Sequence, residues 1–211
     1  MSLTFDGPAA AGDRLANFTV AITGASGAVF ARELLVALER DARVGHVNLV
    51  ASESSLRVMA EELGLSGRNS LVEKLLGVAS AKIVQLGEDD IGAGIASGSY
   101  ESSGMIVLPC SMGTLAGIAN GMAATLIGRA ADVCLKERRP LVLCVRETPF
   151  NKIHLRNMGL AADAGATIFP VIPAFYSKPV DSGEMARQFA YRVLGFVGLA
   201  QGGMYRWKGE D

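Results

Sequence analysis

Two glycine-rich turns follow apolar runs and precede helical patterns: Thr23-Gly-Ala-Ser-Gly-Ala28 and Pro109-Cys-Ser-Met-Gly-Thr114. The first N–H groups of a helix have no intrahelical acceptors, and its dipole is positive at that end. The first turn therefore favours an anion, and in the second Ser111, Thr114 and the backbone amides can cradle a phosphate or the edge of a ring. Each turn also has a plainer reading, as a tight structural turn in the first case and as helix capping by Ser111 and Thr114 in the second. The first is not the G-x-G-x-x-G dinucleotide pattern, and Ser52, with Glu53 adjacent, stands where that pattern puts an acid.

Charged residues supply a second set of candidates. Arg146 and Glu147 end the apolar run Pro140-Leu-Val-Leu-Cys-Val145, an expensive place for unpaired ions that points to a ligand, a subunit partner or a simple ion pair. Arg129 and Lys136 are seven residues apart and share a helix face, whereas Arg138 and Arg139 read as a solvated helix end that complements the dipole. Lys178 follows Phe175-Tyr176, and Arg192 interrupts an apolar stripe of Phe189, Val193, Phe196 and Val197, from which it can reach an anion. His46 and His154 read as surface or capping residues. With no Ser-His-Asp arrangement and no metal-ligand spacing, hydrolase and metal chemistry lack support. Cys110, Cys134 and Cys144 have apolar surroundings and no C-x-x-C spacing, so reduced thiols are expected.

These residues act together only if the elements between them form one sheet. Strands are expected at 18–23, 44–51, 82–86, 104–109, 140–145 and 166–170, and helices at 29–39, 52–63, 124–138, 152–164 and 181–199, with a further one running from the turn at 110–114 through 121. A polar connection at 64–77 has room for a short helix, and 87–103 is a Gly/Ser-rich loop with acids at its start. Alternating apolar strands and helices imply a mostly parallel sheet covered on both faces, a Rossmann-like or flavodoxin-like three-layer α/β/α sandwich. In such sheets the residues just after the strands carry the chemistry. The expected organisation is a flexible tail at 1–17, one domain at 18–200 and a C-terminal tail at 201–211.

Composition narrows the function classes. Of 211 residues 50% are hydrophobic and 19% charged, which excludes a largely disordered chain. Twenty basic and 21 acidic side chains give a net charge of −1, without the basic excess that binds nucleic acid. The uncharged stretch 102–128 is broken by Pro109, Asn120 and several glycines, and so reads as a buried strand and helix, not a membrane span. Residues 1–15 lack the basic start and apolar run of a secretory signal, so a cytoplasmic protein is expected.

The segments TGASGA at 23–28, ASGS at 96–99, PCSMGTLAGIANG at 109–121 and RAADVCLKERRPLVLCVRETPF at 129–150 resemble the UbiX-type flavin prenyltransferases, with the likeness running from Phe18 to Leu199. The resemblance implies transfer of a dimethylallyl group from dimethylallyl monophosphate to reduced FMN, joining at N5 and C6, without a metal. The product, prenylated FMN, serves a UbiD-type decarboxylase. It further implies that Gly24, Ala25, Ser26, Ser52, Ser111, Met112, Gly113, Thr114 and Arg146 hold FMN. Arg129, Lys136, Glu147, Tyr176 and Arg192 would surround the prenyl phosphate, and Ser26, Lys136 and Glu147 would be catalytic. Homododecamers with sites at subunit interfaces are implied as well. Related FMN-dependent cysteine decarboxylases share the fold, but Arg146-Glu-Thr-Pro149 replaces their Pro-x-Met-Asn motif, which favours the prenyltransferase; a non-catalytic FMN carrier is the other alternative. Where the family places an aromatic residue this chain has Asp89-Asp90-Ile91-Gly92, and its single tryptophan is Trp207.

Overall fold

The computed structural model of the chain describes residues 15–207, so most of the expected N-terminal tail and residues 208–211 lie outside the described residues. Six strands, β1 (Ala16–Ile22), β2 (Val44–Ala51), β3 (Ile83–Leu86), β4 (Gly104–Cys110), β5 (Leu141–Val145) and β6 (Thr167–Ile168), form one sheet in the order β3-β2-β1-β4-β5-β6. Every neighbouring pair is parallel, with Val20 opposite both Leu49 and Ile106. The crossovers are α1 (Ala28–Arg40), α2 (Glu53–Leu63), α3 (Leu71–Leu76), α4 (Met112–Ala119), α5 (Leu126–Lys136) and α6 (Lys152–Asp163); α7 (Ser182–Phe196) follows β6.

Alternation along the strands divides the interior in two. Val20, Ile22, Leu49, Ile106 and Leu108 face a core shared with Leu34, Leu35 and Leu38 of α1, Met59 of α2, Leu71 of α3 and Phe189 and Val193 of α7. Ala21, Val50, Met105, Val107 and Leu143 face the other core, with Leu115 of α4, Leu126 and Ala130 of α5 and Ala161 of α6. Both sheet faces are thereby covered, which is why the central strands read as continuous apolar runs. The sheet grows outward from β1 in both directions, so the switch point lies between the carboxyl ends of β1 and β4.

Several boundaries differ from expectation for local reasons. β1 begins at Ala16, which puts residues 16 and 17 in the sheet and not in a tail. β6 spans only two residues, yet Phe169 N and Val171 N still donate to Leu143 O and Val145 O at 2.9 Å each, and the interruption falls at Pro170, which has no N–H. Thr125 caps α5, accepting from Gly128 N at 3.3 Å, and the chain leaves that helix at Arg138, whose φ is 55°. The stretch 201–207 is fastened to the body: Gln201 donates to Asp41 Oδ2 at 2.8 Å, and Gln188 of α7 exchanges bonds with Gly203 O and Tyr205 N at 3.0 and 2.9 Å.

Candidate functional site

Thr23, 1% exposed, ties the two central strand ends together. Its hydroxyl donates to Pro109 O and accepts from Ser111 N, both at 2.8 Å. Ser52 N donates to Ile22 O at 2.9 Å and Arg146 N to Cys110 O at 3.1 Å, so the ends of β1, β2, β4 and β5 stand in one row. Gly24 has no room for a side chain, because an added Cβ would lie 2.6 Å from Ser54 Cβ. Gly27 caps α1 with φ 119°, a conformation natural to glycine.

Three helix N-termini open onto this row, and their contents differ. At α1 the N–H groups of Gly27 and Ala28 are not free for an external anion, as the sequence suggested: Glu62 accepts from them at 3.0 and 2.8 Å. Partial burial would raise the Glu62 carboxyl, but bonds from the Ser26 hydroxyl, Gly27 N and Ala28 N, with Arg146 nearby, hold it below its ordinary value. At α2 the Ser52 hydroxyl caps Ser55 N at 3.2 Å, and Glu53 N donates to Glu88 Oε2 at 2.9 Å. At α4 Ser111 caps Thr114 N at 3.3 Å, so the capping reading holds, while Met112 and Gly113 occupy the first turn, where a helix supplies no acceptors. A Cβ on Gly113 would meet nothing within 4 Å, so this N-terminus is open. It is the best-placed seat for a phosphate.

The charged candidates fall into separate groups. Arg146 is exposed at the end of β5, and Glu147, also exposed, accepts from Thr148 N at 2.9 Å instead of pairing with it. Exposure removes the burial cost that the sequence pattern suggested. On α5, Arg129 donates to Ala96 O at 3.1 Å and pairs with Asp132 at 2.9 Å, while Lys136 pairs with Glu137. Tyr176 lies in the connection after β6 with its ring 5.5 Å from Trp207, both largely exposed. The buried stripe of α7 is Ala186, Phe189, Ala190, Val193 and Leu194, at helical spacing, so Arg192 projects from the opposite, exposed side and does not interrupt it. α5 packs on one sheet face and α7 on the other. Among the described residues no contact joins Arg129 or Lys136 to Tyr176 or Arg192 within one chain.

Arg139 is not a solvated helix end, since it donates to Tyr100 O and Gly98 O at 2.8 and 2.7 Å. His154 completes a capping box with Asn151, as a capping residue does, whereas half-buried His46 lies within β2 and bonds buried Asn48. All three cysteines are buried free thiols; desolvation pushes Cys110 up to about 12 and Cys134 up to about 11. Among the described residues no cluster of His, Cys, Asp or Glu could hold a metal ion, and no helix is long and apolar enough to cross a membrane.

Glu62, Glu88 and Arg139 make contacts that the sequence reading did not anticipate, the first two at helix N-termini of the row and the third on the loop before β4. One signal was available for Glu62: an acid in the last turn of a helix opposes that helix's own dipole, which suggests a partner elsewhere.

The Flavoprotein family matches residues 10–190 of the chain. The flavin prenyltransferase UbiX of Escherichia coli K12 is 43% identical over 192 residues, covering 90% of this chain and 97% of that protein. The crystal structure of AnUbiX in complex with FMN and dimethylallyl pyrophosphate matches with a TM-score of 0.83 at 41% identity, over 94% of this chain and 100% of that one. A dodecameric FMN-dependent UbiX-like decarboxylase from Escherichia coli O157:H7 matches at 0.81 and 39% identity, over 92% of this chain and 100% of that one.

Proposed function

The chain belongs to the Flavoprotein family, among its UbiX-type flavin prenyltransferases, and from that premise we propose how its residues divide the reaction. The enzyme moves a dimethylallyl group from dimethylallyl monophosphate to reduced FMN, which supplies N5 and C6 as the carbon acceptors, and releases phosphate. The convergence of residues 23–27, 52–54, 109–114 and Arg146 at the switch point carries this reading. These residues fit the flavin: the open α4 N-terminus at Met112 and Gly113 takes its phosphate with Ser111 and Thr114, Gly24 and Ala25 allow close approach, and Ser52 and the Arg146 guanidinium add donors.

Ionising the allylic donor calls for cations aimed at the leaving oxygens, and Arg129, Lys136 and Arg192 with the Tyr176 hydroxyl supply them. Ser26 and Glu62 form a hydrogen-bonded pair beside the flavin seat, and with Glu147 they relay protons: one passes from N5 to the departing phosphate with the first bond, and as the second forms the proton lost from C6 is balanced by one delivered to the prenyl double bond.

α5, which carries Arg129 and Lys136, and α7, which carries Arg192, pack on opposite faces of the sheet, so one chain does not surround the donor by itself. A second copy completes the site in a homo-oligomer, a dodecamer like the Escherichia coli O157:H7 protein. The exposed Ile172 and Phe175, 74% and 69% accessible beside Tyr176, support this, since contiguous apolar surface marks an interaction site. Residues 16–207 make up the flavin-binding domain, the enzyme works in the cytoplasm, and a UbiD-type decarboxylase receives the product.

The test is anaerobic incubation with reduced FMN and dimethylallyl monophosphate, followed by mass analysis of the extracted flavin and a phosphate assay. A prenyl mass increase with matching phosphate release is expected. Unmodified flavin, despite tight FMN binding and an active control enzyme, overturns the assignment.

A further inference from the structure

The loop 94–103 has a single 3₁₀ turn (Gly94–Ala96) as its regular structure, yet it is held from three directions. Asn48 of β2 donates to Tyr100 Oη at 3.0 Å, and Arg129 donates to Ala96 O at 3.1 Å. Arg139 makes two bonds, from Nη1 to Tyr100 O at 2.8 Å and from Nη2 to Gly98 O at 2.7 Å. Its backbone is fixed as well: Arg138 takes a left-handed conformation, φ 55°, and Arg139 N returns to Cys134 O at 2.8 Å. The guanidinium is thereby turned back toward the loop.

At Gly98 the loop meets the end of α5 closely. A Cβ added there would run into Lys136 Nζ and the Glu137 carboxylate, with Glu137 Cδ at 2.9 Å. Loop backbone and the ends of these two side chains are thus in close contact, so the position of the loop bears on where the ammonium can stand. A rigid planar fork is suited to fixing two carbonyls two residues apart, whereas one ammonium on a flexible stem is not.

We propose that Arg139 is a positioning residue for the donor-phosphate site: by holding the Gly98 and Tyr100 carbonyls it keeps the loop against Lys136 and sets where that ammonium stands. The inference rests on the assignment of Lys136 to the prenyl phosphate made above. It separates Arg139 from its neighbour Arg138, which makes no such bonds among the described residues.

The experiment compares wild type with Arg139→Gln, Arg139→Lys, Gly98→Ala and Lys136→Ala, measuring kcat and KM for dimethylallyl monophosphate, FMN affinity by flavin fluorescence, and the thermal midpoint. Misplacing a binding group raises donor KM, so Arg139→Gln and Gly98→Ala should raise it about tenfold with FMN affinity nearly unchanged, and Arg139→Lys should fall between. A lowered thermal midpoint with an unaltered donor KM would make Arg139 merely structural and overturn the inference. If Lys136→Ala leaves donor kinetics intact, the Lys136 assignment fails and takes the inference with it; if only Lys136→Ala impairs them, the inference alone fails. Should Arg139→Gln not fold, Arg139→Lys and Gly98→Ala decide, because they retain a cation or leave Arg139 in place.

Discussion

Replacing Glu62 with glutamine keeps the size of the side chain and removes its charge. The carboxylate accepts from Gly27 N at 3.0 Å, Ala28 N at 2.8 Å and the Ser26 hydroxyl; the amide offers one oxygen and turns an NH2 toward the remaining donors. Losing one charge-assisted bond costs about 1.5–3 kcal/mol in a sheltered site, with roughly 0.3–1 kcal/mol more from the helix dipole. Glu62 is largely exposed, so solvent screening reduces the loss to about 1–2 kcal/mol, or roughly 2–8 °C in Tm for a chain of this size. The sign of the pH dependence is fixed because the folded-state pKa lies below the ordinary 4.5. The stabilisation is complete above that value and is lost as pH falls through the lower folded-state pKa. Melting curves should therefore show a constant gap between wild type and Glu62→Gln from pH 7 to about 5, closing below about 4.5. The proton-transfer role predicts in addition a fall in kcat of roughly 10²–10⁴-fold with FMN binding retained. An unchanged Tm, or a gap that persists undiminished in acid, refutes the electrostatic reasoning. An unchanged kcat leaves Glu62 as a cap of α1 and nothing more.

Thr23→Val preserves shape but leaves half-buried Ser111 N without its acceptor, while Pro109 O keeps only Thr23 N at 3.2 Å; denaturant titration should show a loss of about 1–3 kcal/mol, with weaker FMN binding. Arg146→Ala should fold with a near-normal Tm, because the side chain is exposed, yet weaken FMN about tenfold in fluorescence titrations. That weakening should shrink as salt rises, and an unaltered affinity at low salt would remove Arg146 from the flavin site.

Much of the architecture was legible because each element carried its own local signal. Val20, Ile22, Leu49, Ile106 and Leu143 sit in runs that only a doubly covered sheet explains, and Ser52, Ser111, Asn151 and Asp181 cap helices as their types require. Boundaries slipped where a single residue decided them, as at Pro170 and Arg138. In sequence Arg192 reads as interrupting the apolar stripe of α7, whereas the buried face runs through Ala186, Phe189, Ala190, Val193 and Leu194 and leaves Arg192 on the exposed side.

The sequence by itself determined the order of strands and helices, the switch-point turns and, through long matched motifs, the family. Those properties depend on residue type and spacing within one segment. The tertiary structure decided which of the three helix N-termini at the switch point carries a carboxylate from elsewhere: Glu62 fills that of α1 from 34 residues away, Glu88 meets that of α2, and among the described residues no acid meets that of α4. It likewise decided that Arg139 grips a loop 41 residues upstream and that α5 and α7 lie on opposite faces. The reason is physical: a charge belongs to whichever donor or acceptor the packed chain brings within about 3 Å, and no local pattern encodes that pairing.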